Sequence, residues 1–363
     1  MPRDVAPPTP GPTLWEAVRD LPLQIDAVAR EPLEQETPAF TRRTTVVRLT
    51  GDGHDGVGED VNYDPLEHPR FQAWGGLIDL RGSWTLATLS AALEAGPLAP
   101  DGFPHAVDAH YRRWAFESAA LDLALRQAGT DLATAVGREV APLSFVTSRG
   151  VGDPPTPEGI DAIRRGSPDL RFKLDLGGAW SADAIAAVAA TGAVEVVDLK
   201  GWYVGTTVDT PADPETYRRV LDGLPDAYIE DAGITPETEE LLRPYADRLT
   251  WDLPLQAAAD LRTLPFAPPR VVNIKPSRIG TIAELSAVYA ACETGGIGAY
   301  AGGQYELGPG RGQAQLLAAL FHPTGPNDLA PGVFNRTELP DELPRSPLDL
   351  QADAVGFRLA ADS

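Results

Sequence analysis

The chain has 363 residues, with 30 Lys plus Arg against 52 Asp plus Glu, giving a formal net charge of −22 and a pI near 4.5. A surface that negative repels phosphate backbones and anionic lipid, so neither nucleic acid nor a membrane surface is an expected partner. Hydrophobic residues make up 43%, enough for a sizeable core, yet no apolar run reaches the roughly 18–20 residues of a membrane helix, and Cys292 stands alone, which excludes an internal disulfide and a thiolate zinc cluster.

The Pro-rich first dozen residues, with no apolar stretch resembling a secretory signal, are expected to fray or to act as a packing arm of a cytoplasmic protein. From about Leu23 to Asn62 the pattern is strand-like, with a β-branched run at Thr44–Leu49 and a turn across the Gly- and Asp-rich stretch Gly51–Gly56. Gly58-Glu59-Asp60 then opens a polar loop through Tyr63, Asp64 and Pro65. Two helical patterns follow, the stronger over Trp114–Gln127, and strands before helices indicate a small α+β unit.

After Pro142 short β-rich runs alternate with helical stretches. The runs are Leu143–Thr147, Leu170–Leu174, Val194–Asp198, Ala227–Glu230, Leu249–Asp252, Val271–Lys275 and Gly296–Tyr300, with an eighth expected near Asn327–Gly332. Helices are expected at Ser181–Ala190, Pro236–Tyr245 and Ile282–Cys292. Seven or eight βα units in series are the signature of a parallel barrel. The alternative, an open doubly wound sheet, usually carries a glycine-rich dinucleotide loop after its first strand, and none follows Phe145.

Barrel enzymes carry their chemistry at the C-terminal ends of strands, and here successive strands end in Lys173-Leu-Asp175, Asp198-Leu-Lys200, Glu230-Asp231, Asp252 and Lys275. Residues two apart share a face, so Lys173 with Asp175, Asp198 with Lys200, and Asn273 with Lys275 can each point inward. Spaced by about one βα unit, these charges are expected to ring one mouth. Carboxylates from three strands, without Cys or paired His, suit a hard cation with oxygen ligands, and Mg2+ fits best. A lysine beside such an ion suits removal of a proton from the carbon next to a carboxylate. The competing reading makes strand-end acids helix caps or solvated carboxylates and the lysines snorkelling surface groups. Asp231 is expected to face away from Glu230.

In order, these motifs resemble the enolase superfamily, nearer its mandelate racemase and muconate-lactonising branches than enolase itself. Gly56-Val-Gly-Glu59 resembles the end of the family's capping hairpin, and Glu117–Gly129 its helix leading into the barrel. Asp198, Glu230 and Asp252 match its three magnesium ligands. Asn273-Ile-Lys-Pro-Ser-Arg-Ile-Gly280 matches the strand-six motif with its lysine, and Gly302-Gly-Gln-Tyr-Glu306 with Gly308, Gly310 and Arg311 its glycine-rich segment with a Glu. The resemblance implies a modified (β/α)8 TIM-type barrel with an N-terminal α+β capping domain. The divisions expected are 13–135 for the cap, 136–335 for the barrel, and 336–363 for a tail packing on the cap. It also implies a magnesium-dependent enzyme that takes the proton alpha to a substrate carboxylate to give an enediolate. Elimination would follow, as in a dehydratase or o-succinylbenzoate synthase, or isomerisation, as in a cycloisomerase or racemase.

Two positions depart from the family's pattern. Asp175 stands where the second lysine of a Lys-x-Lys pair is usual, and Lys200 where the strand-three motif usually ends in Asn. Lys275 is then the sole base, with Asp175 or Lys173 as acid or electrostatic partner, or else Lys200 replaces the missing lysine from the neighbouring strand. Glu306 is a further active-site acid or a loop anchor, and Tyr63 and Asp64 reach the substrate from the cap or are turn residues. Gly308-Pro-Gly-Arg311 cradles an anion or forms a tight turn, and the five histidines are expected to be structural. In a second register Asp175–Ser181, rather than Asp198, is the strand-three segment. Specificity is expected from loops near Arg30–Phe40 and Val61–Pro65. The expected partner is a small-molecule carboxylate, and a homo-oligomer of unread order is expected. A Schiff-base lysine aldolase and a non-catalytic barrel scaffold remain the rival readings.

Overall fold

A computed structural model describes residues 2–177 and 180–360. Near its start, strand Pro22–Ile25 pairs antiparallel with Gly82–Thr85. Strands Ala27–Glu36, Thr41–Gly51 and His54–Asp60 form an antiparallel meander. The expected Gly51–Gly56 turn tightens to Asp52-Gly53, both at positive φ (49° and 76°), the geometry that matches the twist of a two-residue hairpin. Chain expected to be loop from Arg30 onward is strand as far as Glu36, because Arg30–Glu36 pairs residue for residue with Thr41–Val47. Residues 37–40 are left as the turn, with the Phe40 ring edge-on to Tyr305 (centroids 5.6 Å).

The helices that follow the meander include Glu67–Ala73, Leu86–Ala95 and Ala106–Gln127, where two patterns were expected. The last starts well before Trp114, its first turn set by Asp108 accepting the His105 N–H at 3.1 Å. It lies across the meander so closely that a Cβ on Gly56 or Gly58 would overlap the helix backbone at Ala119 or Ala115. That approach is why the sequence alternates glycine there.

Five parallel strands form one arc of the barrel: Val146–Thr147, Arg171–Asp175, Val194–Asp198, Tyr228–Glu230 and Leu249–Thr250. Val271–Ile274 and Gly298–Ala301 form a second. A few backbone hydrogen bonds join the arcs: Asn273 N–H to Trp251 O (3.0 Å), Asp328 N–H to Ala301 O (2.7 Å), Gly303 N–H to Asp328 O (3.0 Å) and Val146 N–H to Asn327 O (2.9 Å). Asn327–Asp328 is thus the eighth stave, reduced to isolated bridges. Two ladders stop short of the expected ends, at Thr250 instead of Asp252 and at Ile274 instead of Lys275, while Arg171–Asp175 and Gly298–Ala301 each run one residue past theirs.

Helices Pro157–Arg164, Ala182–Ala190, Pro214–Gly223, Pro236–Leu242, Ile282–Gly295 and Pro309–Phe321 cover the barrel. Five of them start behind a capping hydroxyl or carboxylate at Thr156, Ser181, Asp213, Thr235 or Thr281. The helix expected to reach Tyr245 stops at Leu242, where Pro244 leads into a 3₁₀ turn at Arg243–Arg248.

The N-terminal arm packs. Val5 is buried with Val196, Tyr228, Val271 and Tyr300, Ala6 O accepts the Ala299 N–H at 3.1 Å, and Thr9 N–H reaches Phe321 O at 2.9 Å. At the other terminus Phe357 N–H and Arg358 Nε both donate to the buried Asp122 carboxylate of the Ala106–Gln127 helix. Among the described residues, no helix is long and apolar enough to cross a membrane.

Candidate active site

The strand ends bring Asp198, Glu230 and Asp252 together. All three are buried, and one carboxylate oxygen of each lies within 4.8 Å of the others. Asp198, not Asp175, joins Glu230 and Asp252, as the first register requires. In the Asp175–Ser181 segment of the second register, Gly178 and Ala179 lie outside the described residues.

Every carboxylate meets cations. Lys173 Nζ contacts Glu230 Oε1 and lies 3.1 Å from Asp198 Oδ2 and 3.9 Å from Asp328 Oδ2. Lys200 Nζ is 2.6 Å from Asp198 Oδ2 and 3.2 Å from Asp175 Oδ1. Lys275 Nζ is 2.9 Å from Asp252 Oδ2, and Arg278 Nη1 holds Asp252 Oδ1. Tyr203 OH donates to Asp252 Oδ2 at 3.2 Å, while Tyr300 OH and Asn273 Nδ2 donate to Glu230 Oε2. Gly302 leaves room for this packing, since a Cβ there would run into Lys275 Cε and come within 2.8 Å of Asn273 Oδ1.

The electrostatics separate the groups. Burial alone would raise Asp252 and Asp198, but Arg278, Lys275 and Lys173 hold Asp252 well below the usual carboxylate range, and Lys200 and Lys173 do so for Asp198. Glu230 goes the other way, pushed up to about 8 by burial and by the charges of Asp198, Asp252 and Asp231, which together outweigh Lys173. The lysines also divide. Against the pull of burial, Glu230 and Asp198 hold Lys173 charged, and Asp175 and Asp198 hold Lys200 charged, while burial, Arg278 and Lys173 lower Lys275 despite Asp252.

The donor set fits a hard divalent cation. It offers three converging carboxylates, one of them with its negative charge under-compensated, and the buried Asn273 Oδ1 beside them has no hydrogen-bond partner.

The remaining expected residues are placed as follows. Asp175 is the outermost, its side chain 54% exposed. Glu306 makes local contacts, accepting the Gln304 N–H at 2.7 Å and lying 3.0 Å from Arg311. Asp231 is buried and turned from the triad's oxygens to the backbone N–H groups of Asp252 and Leu253 (2.8 and 2.9 Å). Tyr63 lies under the Arg42 guanidinium at 4.4 Å, and Asp64 accepts the Leu66 N–H, an Asx turn. The glycine-rich cradle holds an anion from the chain itself, because Glu59 accepts the N–H groups of Leu307, Gly308 and Gly310 at 2.7, 2.9 and 3.0 Å.

Arg278 and Tyr300 lie in segments that the sequence reading quoted but were given no role there, and Tyr203 did not figure in it. Arg278 stands one helical turn past Lys275, and Tyr300 closes its expected strand run as the triad's acids close theirs, so spacing could have found both. Tyr203 lies in an irregular loop and left no signal. Of the histidines, His110 Nδ1 pairs with Arg278 O at 2.7 Å, and His68 and His322 bond within the core.

Solved structures share this architecture. The muconate lactonizing enzyme of Pseudomonas putida aligns with TM-score 0.68 at 18% identity, over 93% of this chain and 97% of that one. A dipeptide epimerase from Methylococcus capsulatus, complexed with a Mg ion, gives 0.63 at 20%, over 93% and 99%. Muconate cycloisomerase of Pseudomonas fluorescens gives 0.64 at 18%, over 94% and 97%. The resemblance read from the motifs therefore holds in the fold, a TIM-type barrel of the mandelate racemase and muconate-lactonising kind with an N-terminal α+β domain. No curated protein sequence matches the chain. Family models match residues 16–135, described as the N-terminal domain of a domain of unknown function (DUF8230), and residues 139–336, described as its C-terminal domain, and the chain belongs to that family.

Proposed function

We propose that this chain is a magnesium-dependent lyase or isomerase that removes the proton alpha to the carboxylate of a small-molecule substrate. The observation that carries the reading is the convergence of Asp198, Glu230 and Asp252 within 4.8 Å, with the Lys275 amine 2.9 Å from Asp252. Asp198, Glu230 and Asp252 would hold the ion. A bound Mg2+ would supply Lewis-acid stabilisation of the charge that develops on the substrate carboxylate.

Lys275 is the base. It is the one lysine of the three whose ammonium is disfavoured where it sits, and the Asp252–Arg278 pair fixes its position. Lys173, held charged between Glu230 and Asp198, offsets the substrate's negative charge. Tyr300 and Asn273 fix the Glu230 carboxylate from behind. With Asp175 in place of a second facing lysine, elimination or cycloisomerisation suits the site better than a two-base racemisation.

Deuterium uptake from D2O tests the reading, using acid sugars, amino-acid derivatives and aromatic acids with and without Mg2+. Some acids are expected to exchange only with Mg2+, and Lys275→Ala is expected to slow exchange by about 10²–10⁴-fold, the usual contribution of a positioned base. Exchange that survives chelation, or that Lys275→Ala leaves untouched, overturns it.

A further inference from the structure

Lys200 does more at Asp198 than pair with it. Its backbone N–H donates to Asp198 Oδ1 at 3.0 Å and its Nζ lies 2.6 Å from Oδ2, so one residue engages both oxygens of one carboxylate. This wrap needs a left-handed backbone at Lys200, φ +54°, a conformation uncommon for residues other than glycine. Tyr203 N–H to Lys200 O (3.1 Å) and Gly201 N–H to Asp231 O (2.9 Å) hold the turn in place. Uncommon backbone that neighbouring bonds enforce concentrates at working sites. Asp175 braces the same ammonium from outside at 3.2 Å, and the Tyr203 ring centroid lies 5.0 Å from it.

We infer that Lys200 is a resident counter-cation of the carboxylate triad, which a divalent ion must displace from Asp198 before all three acids can ligate it. The inference rests on the proposed function, since it takes the triad to be the metal site. A 2+ ion at Asp198 and an ammonium on the same carboxylate repel at short range in a buried setting, where like charges interact far more strongly than in water. Lys200 thereby weakens divalent binding and keeps the ion-free triad neutralised. The displaced ammonium has a ready acceptor in Asp175, one position out along the mouth.

The test is Mn2+ binding, read as free Mn2+ by electron paramagnetic resonance, for the wild-type protein, Lys200→Gln and Lys200→Arg, each with a metal-free thermal melt. Lys200→Gln keeps the stem and removes the charge. It is expected to bind Mn2+ about tenfold or more tightly than wild type and to show a larger Mn2+-induced rise in melting temperature. Lys200→Arg keeps the charge and is expected to bind no more tightly than wild type. Equal affinities in all three overturn the inference and leave the triad as the metal site, as does equal tightening in the Gln and Arg variants, which would assign the effect to shape. If none of the three binds Mn2+, and Asp198→Asn is equally inert, the proposed function falls with it.

Discussion

Glu59 joins the N-terminal hairpin to the barrel, and removing it has a calculable cost. Its carboxylate, 1% exposed, accepts the N–H groups of Leu307, Gly308 and Gly310 at 2.7–3.0 Å, the unpaired donors that lead into the Pro309–Phe321 helix. Glu59→Ala orphans three donors, one buried and two part-buried, at about 1–3 kcal/mol each. Taking about 2 kcal/mol per donor and about 3 kcal/mol returned by release of the buried charge, the net loss is about 3 kcal/mol. At about 2.1 cal/mol/K per residue over 363 residues, that loss lowers the melting temperature by about 4 °C. Glu59→Gln keeps one acceptor oxygen but turns an NH2 toward donors, and it should lie between the two. Calorimetry gives the shift, and amide hydrogen exchange at 307, 308 and 310 localises it, since protection there should fall further than in the barrel strands. A Glu59→Ala melt within about 1 °C of wild type, with those three amides still protected, would refute the argument.

Two further expectations concern buried groups away from the triad. His322, 3% exposed and bonded to Asn327 Oδ1 (3.1 Å) and Tyr289 OH (3.4 Å), is pushed down to about 4 from the usual 6.5 by burial. Its protonation therefore favours the unfolded chain. The stability it contributes is complete above pH 6.5 and is lost as pH falls through about 4, by about 3 kcal/mol in all. Denaturation of wild type and His322→Gln from pH 7 to 4 should show their difference shrinking by that amount, and parallel curves would count against it. Val5→Ala should cost about 2 kcal/mol in denaturant unfolding, because the Val5 side chain is packed on Val196, Tyr228 and Val271. An unchanged midpoint would mean that the arm lies free of the barrel floor in solution.

How far the sequence could be read depends on the range of the interaction. The Asp198, Glu230, Asp252 and Lys275 cluster was legible because each βα unit returns the chain to the same rim, so a charge closing each run lands beside the next. Helix starts at Ser181, Thr235 and Thr281 were legible from local capping chemistry. The bond between Glu59 and Leu307 was not, because it joins residues 248 apart and no local rule couples a hairpin end to a helix start. Both halves had been noticed separately, Glu59 in a glycine motif and Gly308-Pro-Gly310 as an anion cradle. The span from Arg30 to Glu36 was misread for a related reason. Its mixture of Arg, Glu and Pro looks like loop, yet in an exposed edge strand those residues face solvent and the backbone pairing alone decides.

The two departures from the family's pattern, read along the chain, look like two independent losses. In space they form one arrangement. Asp175 and Asp198 stand opposite each other in register at the ends of adjacent strands, a pairing that repels unless a cation lies between the two carboxylates. Lys200, turned back by its left-handed backbone, puts its ammonium between them at 3.2 and 2.6 Å. A lysine at 175 would instead add a third ammonium beside Lys200 and Lys173 and remove the carboxylate that braces Lys200 from outside. Aspartate at 175 therefore follows physically from lysine at 200, and the mouth keeps its charge balance with the amine moved one strand across. An eroded site has no reason to keep such compensation, because the left-handed turn and the buried ammonium both cost folding free energy. That they persist together favours a working mouth over a bare scaffold.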